Sequence, residues 1–481
     1  MEACGDSASI NFCAIGLLLS VECSSALCER GFYDNYSLNP KKTVTLQGKI
    51  YVRMRSVLKY MYLMVGLWIV LPSFLASIRC GDAIVNAQDV DGLQTEKRTK
   101  GVQEVEDTLQ LSLLTCAPGA EVYELYGHSA LRVQHLNNGA DWVFNYGIFD
   151  FSAPHFMWRF VLGQTDYTVA GVPYLYFCDA YRREGRAVTE QVLNLTPAEE
   201  ARLLDVVTQH ASTEGWSYRY NFLYDNCVTR LIHMIEDCVD GQVEWPVAEE
   251  GKRSFRDMLH ESTEVQSPWN CFGQDLILGA EVDVPLTIHQ QMFSPIYAER
   301  YVCEAVVREV DGQTRPLVNK PAPLVMSCAA TPVPYGGGLT PMVVLSVFAV
   351  LWLMIGLWEM KRGKVIMALD NVILAVRGVL GILVAILFFA SEHPAVGSNW
   401  LILFFNPLPL LLLVWKMIGN RREKHLRYLR LMMIESMLVG AILLVSPQVV
   451  PMMVYVLLAT FALRGAMTYQ VLCKTCIKVD K

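Results

Sequence analysis

Two short segments of this 481-residue chain concentrate the residue types of covalent catalysis. Glu121–Val133 carries His128, which follows a glycine and enters a strand expected at Ala130–Val133. Tyr218–Arg230 carries Cys227, which opens a helix expected from Asn226 to about Asp237, with apolar positions at Val228, Leu231, Ile232 and Ile235. The reactive form of cysteine is the thiolate. A helix N-terminus presents unpaired amides and the positive end of the helix dipole, and both lower a thiol's pKa. A nearby imidazole would act first as base and then as acid. The same amides are placed to hold the oxyanion of a tetrahedral intermediate. Taken singly, a cysteine is more often a buried small hydrophobe or half a disulfide, and a strand histidine is more often structural. Their joint context favours chemistry.

The elements that must bring them together are legible around them. Leu109–Leu114, Ala130–Val133 and the aromatic, β-branched Trp142–Ile148 read as strands. Thr196 with Pro197 and the acids Glu199 and Glu200 opens a helix as cap, first-turn proline and first-turn charge. These features predict an α+β domain over residues 107–320, behind a polar linker at 81–106 and ahead of a Pro- and Gly-rich tether at 321–340. The exported part holds Cys116, Cys178, Cys227, Cys238, Cys271, Cys303 and Cys328, an odd number, so at least one stays free or pairs with another chain. None is spaced there as a CxxC pair. Cys473 and Cys476 are so spaced but stand in a short tail without further ligands, and no metal or cofactor is expected.

The rest of the chain is membrane-like. Hydrophobic residues make up 53% and charged residues 18%, which excludes a disordered chain, and the net charge of −7 gives no reason to expect nucleic acid as a partner. That average hides a split: residues 81–340 hold 36 acidic and 18 basic side chains, the remainder 11 and 22. Pro341–Trp358 is uncharged and long enough to span a bilayer core, and further spans are expected near 367–390, 399–417, 428–446 and 449–469, an all-α five-helix domain over 341–470 with a cytoplasmic tail at 471–481. The basic connections at 361–364 and 421–427 alternate with ones at 391–399 and 446–448 that hold no Lys or Arg. The positive-inside rule therefore puts the domain before Pro341 outside the cytoplasm. Arg53, Arg55 and Lys59 precede the apolar run Tyr60–Ile78, so residues 54–80 read as a signal peptide or signal anchor. Residues 1–53 fit poorly ahead of it and read as a start-site extension, with Met54 the expected start and an extra cytoplasmic tail the alternative.

The motifs also carry a resemblance. Gly127-His128-Ser129-Ala130-Leu131-Arg132 resembles the histidine motif of the Lnb-type periplasmic domain of Bacteroidota. Asp141–Phe151, with Asn145 and Gly147, is similar to the block that follows it there, and Tyr220–Arg230 is similar to the cysteine motif. The similarity runs over roughly residues 107–470. It implies a permuted papain-like thiol fold, with the histidine strand ahead of the cysteine helix, and a lipoprotein N-acyltransferase in the inner membrane with its catalytic domain in the periplasm. On that resemblance Cys227 is the nucleophile and His128 its base. Asn145, on the strand after the histidine, is the expected third member, with Asp141 the alternative. Tyr126, Arg132, Tyr220 and Arg230 are the expected substrate contacts. For the two arginines, a phospholipid phosphate competes with pairing to a local carboxylate. Asp225 or Asn226 is expected to cap the helix, and Tyr126 and Tyr220 have packing as their plainer reading.

The implied reaction is ping-pong: an acyl chain passes from a phospholipid to Cys227, and from there to the α-amine of the diacylglyceryl-cysteine of a lipoprotein. The rivals are a membrane-tethered cysteine amidase or peptidase of the cell envelope and a non-catalytic membrane-anchored binding or sensor module. Within the spans, Asp370, Arg377 and Glu435 are expected to mark partners or pathways. Ser391–Asn399 and Asn406-Pro407 are expected at the exterior end, where they would flank a lipid entrance, and a second catalytic role for His393 is a minor alternative.

Overall fold

The computed structural model describes residues 109–319, 324–326, 339–417 and 421–479. The expected start-site extension, signal segment and first linker, most of the tether, Cys328 and the side chain of Cys476 lie outside the described residues.

The strands are β1 Leu109–Cys116, β2 His128–His135, β3 Asp141–Ile148, β4 Asp166–Pro173, β5 Val188–Val192, β6 Tyr218–Arg219, β7 Gln242–Glu244, β8 Val306–Arg308, β9 Thr314–Pro316 and β10 Leu324–Met326. Among the described residues the α-helices of the sheet domain are α1 Phe156–Val161, α2 Tyr174–Arg183, α3 Pro197–Ser212, α4 Cys227–Cys238, α5 Phe255–Thr263, α6 Pro268–Ile277, α7 Ile288–Gln291 and α8 Pro295–Glu304. After it, among the described residues, come α9 Pro341–Arg362, α10 Met367–Ala390, α11 Leu408–Met417, α12 Arg421–Leu444 and α13 Met452–Val479.

An antiparallel seven-stranded sheet, ordered β10-β5-β1-β2-β3-β4-β6, organises the α+β domain. Strand alternation sends Leu131 and Val133 to one face, against Val228, Leu231, Ile232 and Ile235 of α4, while Ala130 and Val143 meet Phe177 and Cys178 of α2 on the other. Covering both faces keeps the central strands dry, which is why β1 is buried from Leu111 to Cys116. The helix starts follow their caps. Thr196 accepts the Glu199 amide and the Glu199 carboxylate accepts the Thr196 amide at α3, the reciprocal pairing that a Ser/Thr-x-x-Glu pattern predicts. A second small sheet, β7-β8-β9, was not foreseen from the sequence.

Among the described residues three helices are long and apolar enough to cross a membrane: Pro341–Arg362, Met367–Ala390 and Met452–Lys474. The expected span at 399–417 is helical only from Leu408, after a 3₁₀ turn at Trp400–Leu403. Pro407 disfavours helical geometry at Asn406, whose side chain instead accepts the Leu408 amide at 3.0 Å. The intramembrane charges form two networks. Arg464 donates to Glu359 at 2.6 Å and to Asp370 at 3.0 Å, and Trp352 donates to Asp370 at 3.0 Å. Arg377 pairs with Glu435 and donates to the Phe404 carbonyl at 2.9 Å.

The sheet domain rests on the ends of the helices that the loop charges place outside. The Glu392 amide donates to the Leu162 carbonyl at 2.8 Å, Arg219 to Glu392 at 2.9 Å, Asn399 to the Leu276 carbonyl at 2.8 Å, and Gln448 to the Leu278 carbonyl at 3.0 Å. Gly163, at φ +71°, is needed here: a Cβ on it would lie 2.8 Å from the His393 amide nitrogen. His393 uses Nε2 on the Phe160 carbonyl at 3.0 Å, so it holds α1 in place.

Candidate active site

The site forms where β2, β3 and α4 converge. Cys227 is the first residue of α4, and Asn226 caps that helix by accepting the amides of Val228 and Thr229, both at 3.0 Å. The cap takes up two of the amides expected to serve an oxyanion. The Cys227 amide itself has no acceptor among the described residues. Asp225 does not cap; it pairs with Arg230.

His128 starts β2, and its half-buried ring lies between Cys227 and Asn145. Nε2 donates to Asn145 Oδ1 at 3.2 Å, which leaves Nδ1 as the ring nitrogen for the thiol, with which the ring is hydrogen bonded. Asn145 is on β3, the strand chosen for it from the sequence. Asp141, the alternative, lies at the other end of that strand and is bound to Arg132. Burial alone would raise the Cys227 thiol. The His128 imidazolium beside it and the amides of Ser129 and Val228 outweigh burial and bring the thiol below its ordinary value. For His128, burial lowers the ring and the Cys227 thiolate with the Asn145 carbonyl outweighs it, so the ring titrates higher than usual. Each shift has the other group among its causes, so the thiol and the imidazole titrate as one coupled pair, each favouring the other's charged form. Cys116, opposite His128 in the β1–β2 register, is the contrast: burial pushes its thiol up to about 12, and it behaves as a small hydrophobe. No described cysteine is in a disulfide, so Cys227 is a free thiol.

Beside the pair, β3 carries a bulge between Tyr146 and Ile148, at Gly147 with φ +90°. A Cβ there would lie 3.4 Å from the Tyr220 ring, 3.8 Å from Cys227 Cβ and 4.0 Å from Tyr218 Oη. Tyr220 stacks on Tyr167 with centroids 4.2 Å apart. The Tyr218 hydroxyl is buried with no hydrogen-bond partner among the described residues, and burial next to the Cys227 sulfur keeps the phenol protonated. Sequence reasoning gave Tyr218 no role. Its signal there was only a tyrosine nine residues before the cysteine.

The two arginines depart from the phosphate-binding expectation. Arg132 donates to Asp141 at 2.6 and 2.8 Å and to Glu190 at 2.8 and 3.0 Å, and it stacks on Tyr174 at 3.6 Å. Its fork is filled, and it lies against Tyr174, the first residue of α2. Arg230 is likewise taken up by Asp225 and the Tyr218 ring. The local-carboxylate alternative holds for both, because an acidic domain surrounds each guanidinium with nearer anions. Tyr126 packs against Phe222 at 4.7 Å and hydrogen bonds Gln274, away from the thiol's immediate shell. Of the four expected substrate contacts, only Tyr220 stands beside Cys227.

Sequence comparison agrees with this division of the chain. The Lnb N-terminal periplasmic domain matches residues 104–250, which hold His128, Asn145 and Cys227, and the Lnb transmembrane domain matches residues 335–475. No curated protein and no solved structure gives a match. The two matched regions together cover more than half of the chain, which therefore belongs to the Lnb family, as a membrane protein with a periplasmic domain and a lipoprotein N-acyltransferase-like function.

Proposed function

We propose that the protein is an inner-membrane thiol acyltransferase that moves an acyl chain from a phospholipid, by way of a Cys227 thioester, to the α-amine of the diacylglyceryl-cysteine of a lipoprotein. The observation that carries this reading is the Cys227–His128–Asn145 array, in a domain hydrogen bonded to the outer ends of membrane helices.

In the first half-reaction the thiolate attacks the ester carbonyl carbon and a C–S bond forms. The oxyanion is met by the free Cys227 amide and the Tyr218 hydroxyl. As the tetrahedral intermediate collapses the ester C–O bond breaks, and the His128 imidazolium gives its proton to the lyso-lipid alkoxide. In the second half the lipoprotein amine attacks the thioester carbonyl and passes a proton to His128. The C–S bond breaks, which leaves an amide and restores the thiolate–imidazolium pair. Asn145 holds the ring so that Nδ1 addresses sulfur throughout. Burial of the pair withholds water, which would otherwise hydrolyse the thioester. Both lipid substrates lie at the membrane surface, and the contacts at Glu392, Asn399 and Gln448 keep the thiol domain there.

The test is mass spectrometry of lipoprotein N-termini from cells lacking the gene and complemented with wild type, Cys227→Ser or His128→Ala. Wild type restores triacylated lipoprotein and lyso-phospholipid, and the variants do not. Release of peptide or glycan fragments in their place would favour the amidase reading.

A further inference from the structure

The short helix α1 turns apolar side chains to the outside. Trp158 is 52% exposed and Phe160 47%, with Met157 and Phe151 beside them also exposed. Single exposed apolar residues are ordinary, whereas a cluster of large ones marks a contact surface. This cluster is fixed at a definite level. The Phe160 carbonyl is held by His393 at 3.0 Å and the Leu162 carbonyl by the Glu392 amide at 2.8 Å, just past the last residue of the apolar span Met367–Ala390. The exposed aromatics thus stand where that span leaves the hydrocarbon, the depth at which amphipathic rings settle in a bilayer.

The cluster also leads inward. Phe160 stacks on Phe156 with centroids 6.2 Å apart, Phe156 on Phe149 at 5.6 Å, and Phe149 meets Tyr167 at 5.1 Å. Tyr167 stacks on Tyr220 at 4.2 Å, and the Tyr220 ring flanks Gly147, where an added Cβ would lie 3.4 Å from that ring and 3.8 Å from Cys227 Cβ. An unbroken aromatic row therefore joins the membrane surface to the thiol. The polar groups around it are already paired: Arg159 with Asp166 at 2.9 Å, and Arg219 with Asp166 at 2.8 Å.

We infer that α1 inserts its Met157–Trp158–Phe160 face into the outer leaflet and that the row from Phe160 to Tyr220 is the track along which one acyl chain of a diacyl glycerophospholipid reaches Cys227. The assignment rests on the acyl-transfer reading and adds to it the entry side and the residues that select the chain. Glycine at 147 leaves no side chain between Tyr220 and Cys227 at the inner end.

The full-length protein is placed in nanodiscs of phosphatidylethanolamine and phosphatidylglycerol, some carrying acyl-brominated lipid. The fluorescence difference between wild type and Trp158→Phe isolates Trp158, and bromine is expected to quench it. Acylation of Cys227 by vesicle lipid, followed by peptide mass spectrometry, is expected to slow at least tenfold in the Trp158→Asp/Phe160→Asp variant. Alkylation of Cys227 by iodoacetamide, read on the same peptide, reports whether the thiol site has kept its form, and it is expected to stay within about twofold. An unquenched Trp158, or a double variant acylated as fast as wild type, overturns the inference. So does a variant that forms the thioester normally and fails only in transfer to lipoprotein, since the face would then hold the acceptor. If wild type itself forms no thioester while Trp158 is quenched, it is the acyl-transfer reading that has failed, and α1 remains only a membrane anchor.

Discussion

Replacing Asn145 with alanine tests how the imidazole is held. Asn145 is mostly buried, and its carbonyl oxygen takes the Nε2 proton of His128 at 3.2 Å. A hydrogen bond to a charged group contributes about 1.5–3 kcal/mol. At 3.2 Å this one is at the long end of the usual N–H···O range, so the lower part of that span applies. With about 1.4 kcal/mol per factor of ten, Asn145→Ala is expected to slow thioester formation roughly 10- to 30-fold. Two further effects share that cause. The His128 ring loses a partner that raises its pKa, so the alkaline limb of the pH–rate profile moves to lower pH. Asn145→Asp, which supplies a carboxylate at the same place, moves that limb the other way and keeps most of the rate. The assay is single-turnover release of lyso-phospholipid from nanodiscs, with circular dichroism to confirm that β3 still forms. An Asn145→Ala enzyme within twofold of wild type, with an unmoved pH profile, would refute the positioning role.

Other predictions follow from the same geometry. Because His128 holds the Cys227 thiol below its ordinary value, alkylation of Cys227 in His128→Ala should shift to higher pH, and an unchanged profile would dissolve the ion pair. In the wild type a lowered thiol and a raised imidazole widen the range in which thiolate and imidazolium coexist, so acylation is expected to fall on the acid side, as the thiolate is protonated, and on the alkaline side, as the imidazolium loses its proton. Tyr218→Phe, which removes the unpartnered hydroxyl, should lower the acylation rate on the order of 10²-fold with little change in lipid affinity, measured as a kcat against KM split. Arg464→Ala strands Glu359 and Asp370 inside the helices and should destabilise the protein by about 3–5 kcal/mol, read as a lower unfolding midpoint in detergent, while Cys116→Ala should leave Cys227 alkylation unchanged.

Much of the site was legible because its signals are local. A cap, a first-turn residue and an apolar period of 3.6 fix where α4 begins, so Cys227 at its N-terminus follows from a dozen residues. Alternating β-branched and aromatic residues likewise placed Asn145 on the strand beside His128. What depended on distant partners was not legible. Arg132 is claimed by Glu190, 58 residues away, and no local pattern announces that pair. The Tyr218 hydroxyl and Cys227 both come within 4.0 Å of a Cβ placed at Gly147, a meeting of β6, β3 and α4 that no local pattern announces. The strands of β7-β8-β9 have three residues each, too few for alternation to show. In the membrane part, composition marks the apolar runs but does not place their breaks: 399–417 carries enough apolar residues for a span, yet Asn406-Pro407 delays its helix to Leu408. Pairing of Asp370 with Arg464, 94 residues on, again lay beyond any local reading.

The central claim is a covalent one: phospholipid acylates Cys227. Full-length wild type mixed with phospholipid nanodiscs in the absence of lipoprotein, quenched in acid and digested, should yield the Cys227 peptide heavier by one acyl group. Hydroxylamine should remove that mass, and added lipoprotein should discharge it. An unmodified Cys227 peptide in enzyme that still triacylates lipoprotein, or an acyl group found on another residue, would contradict it.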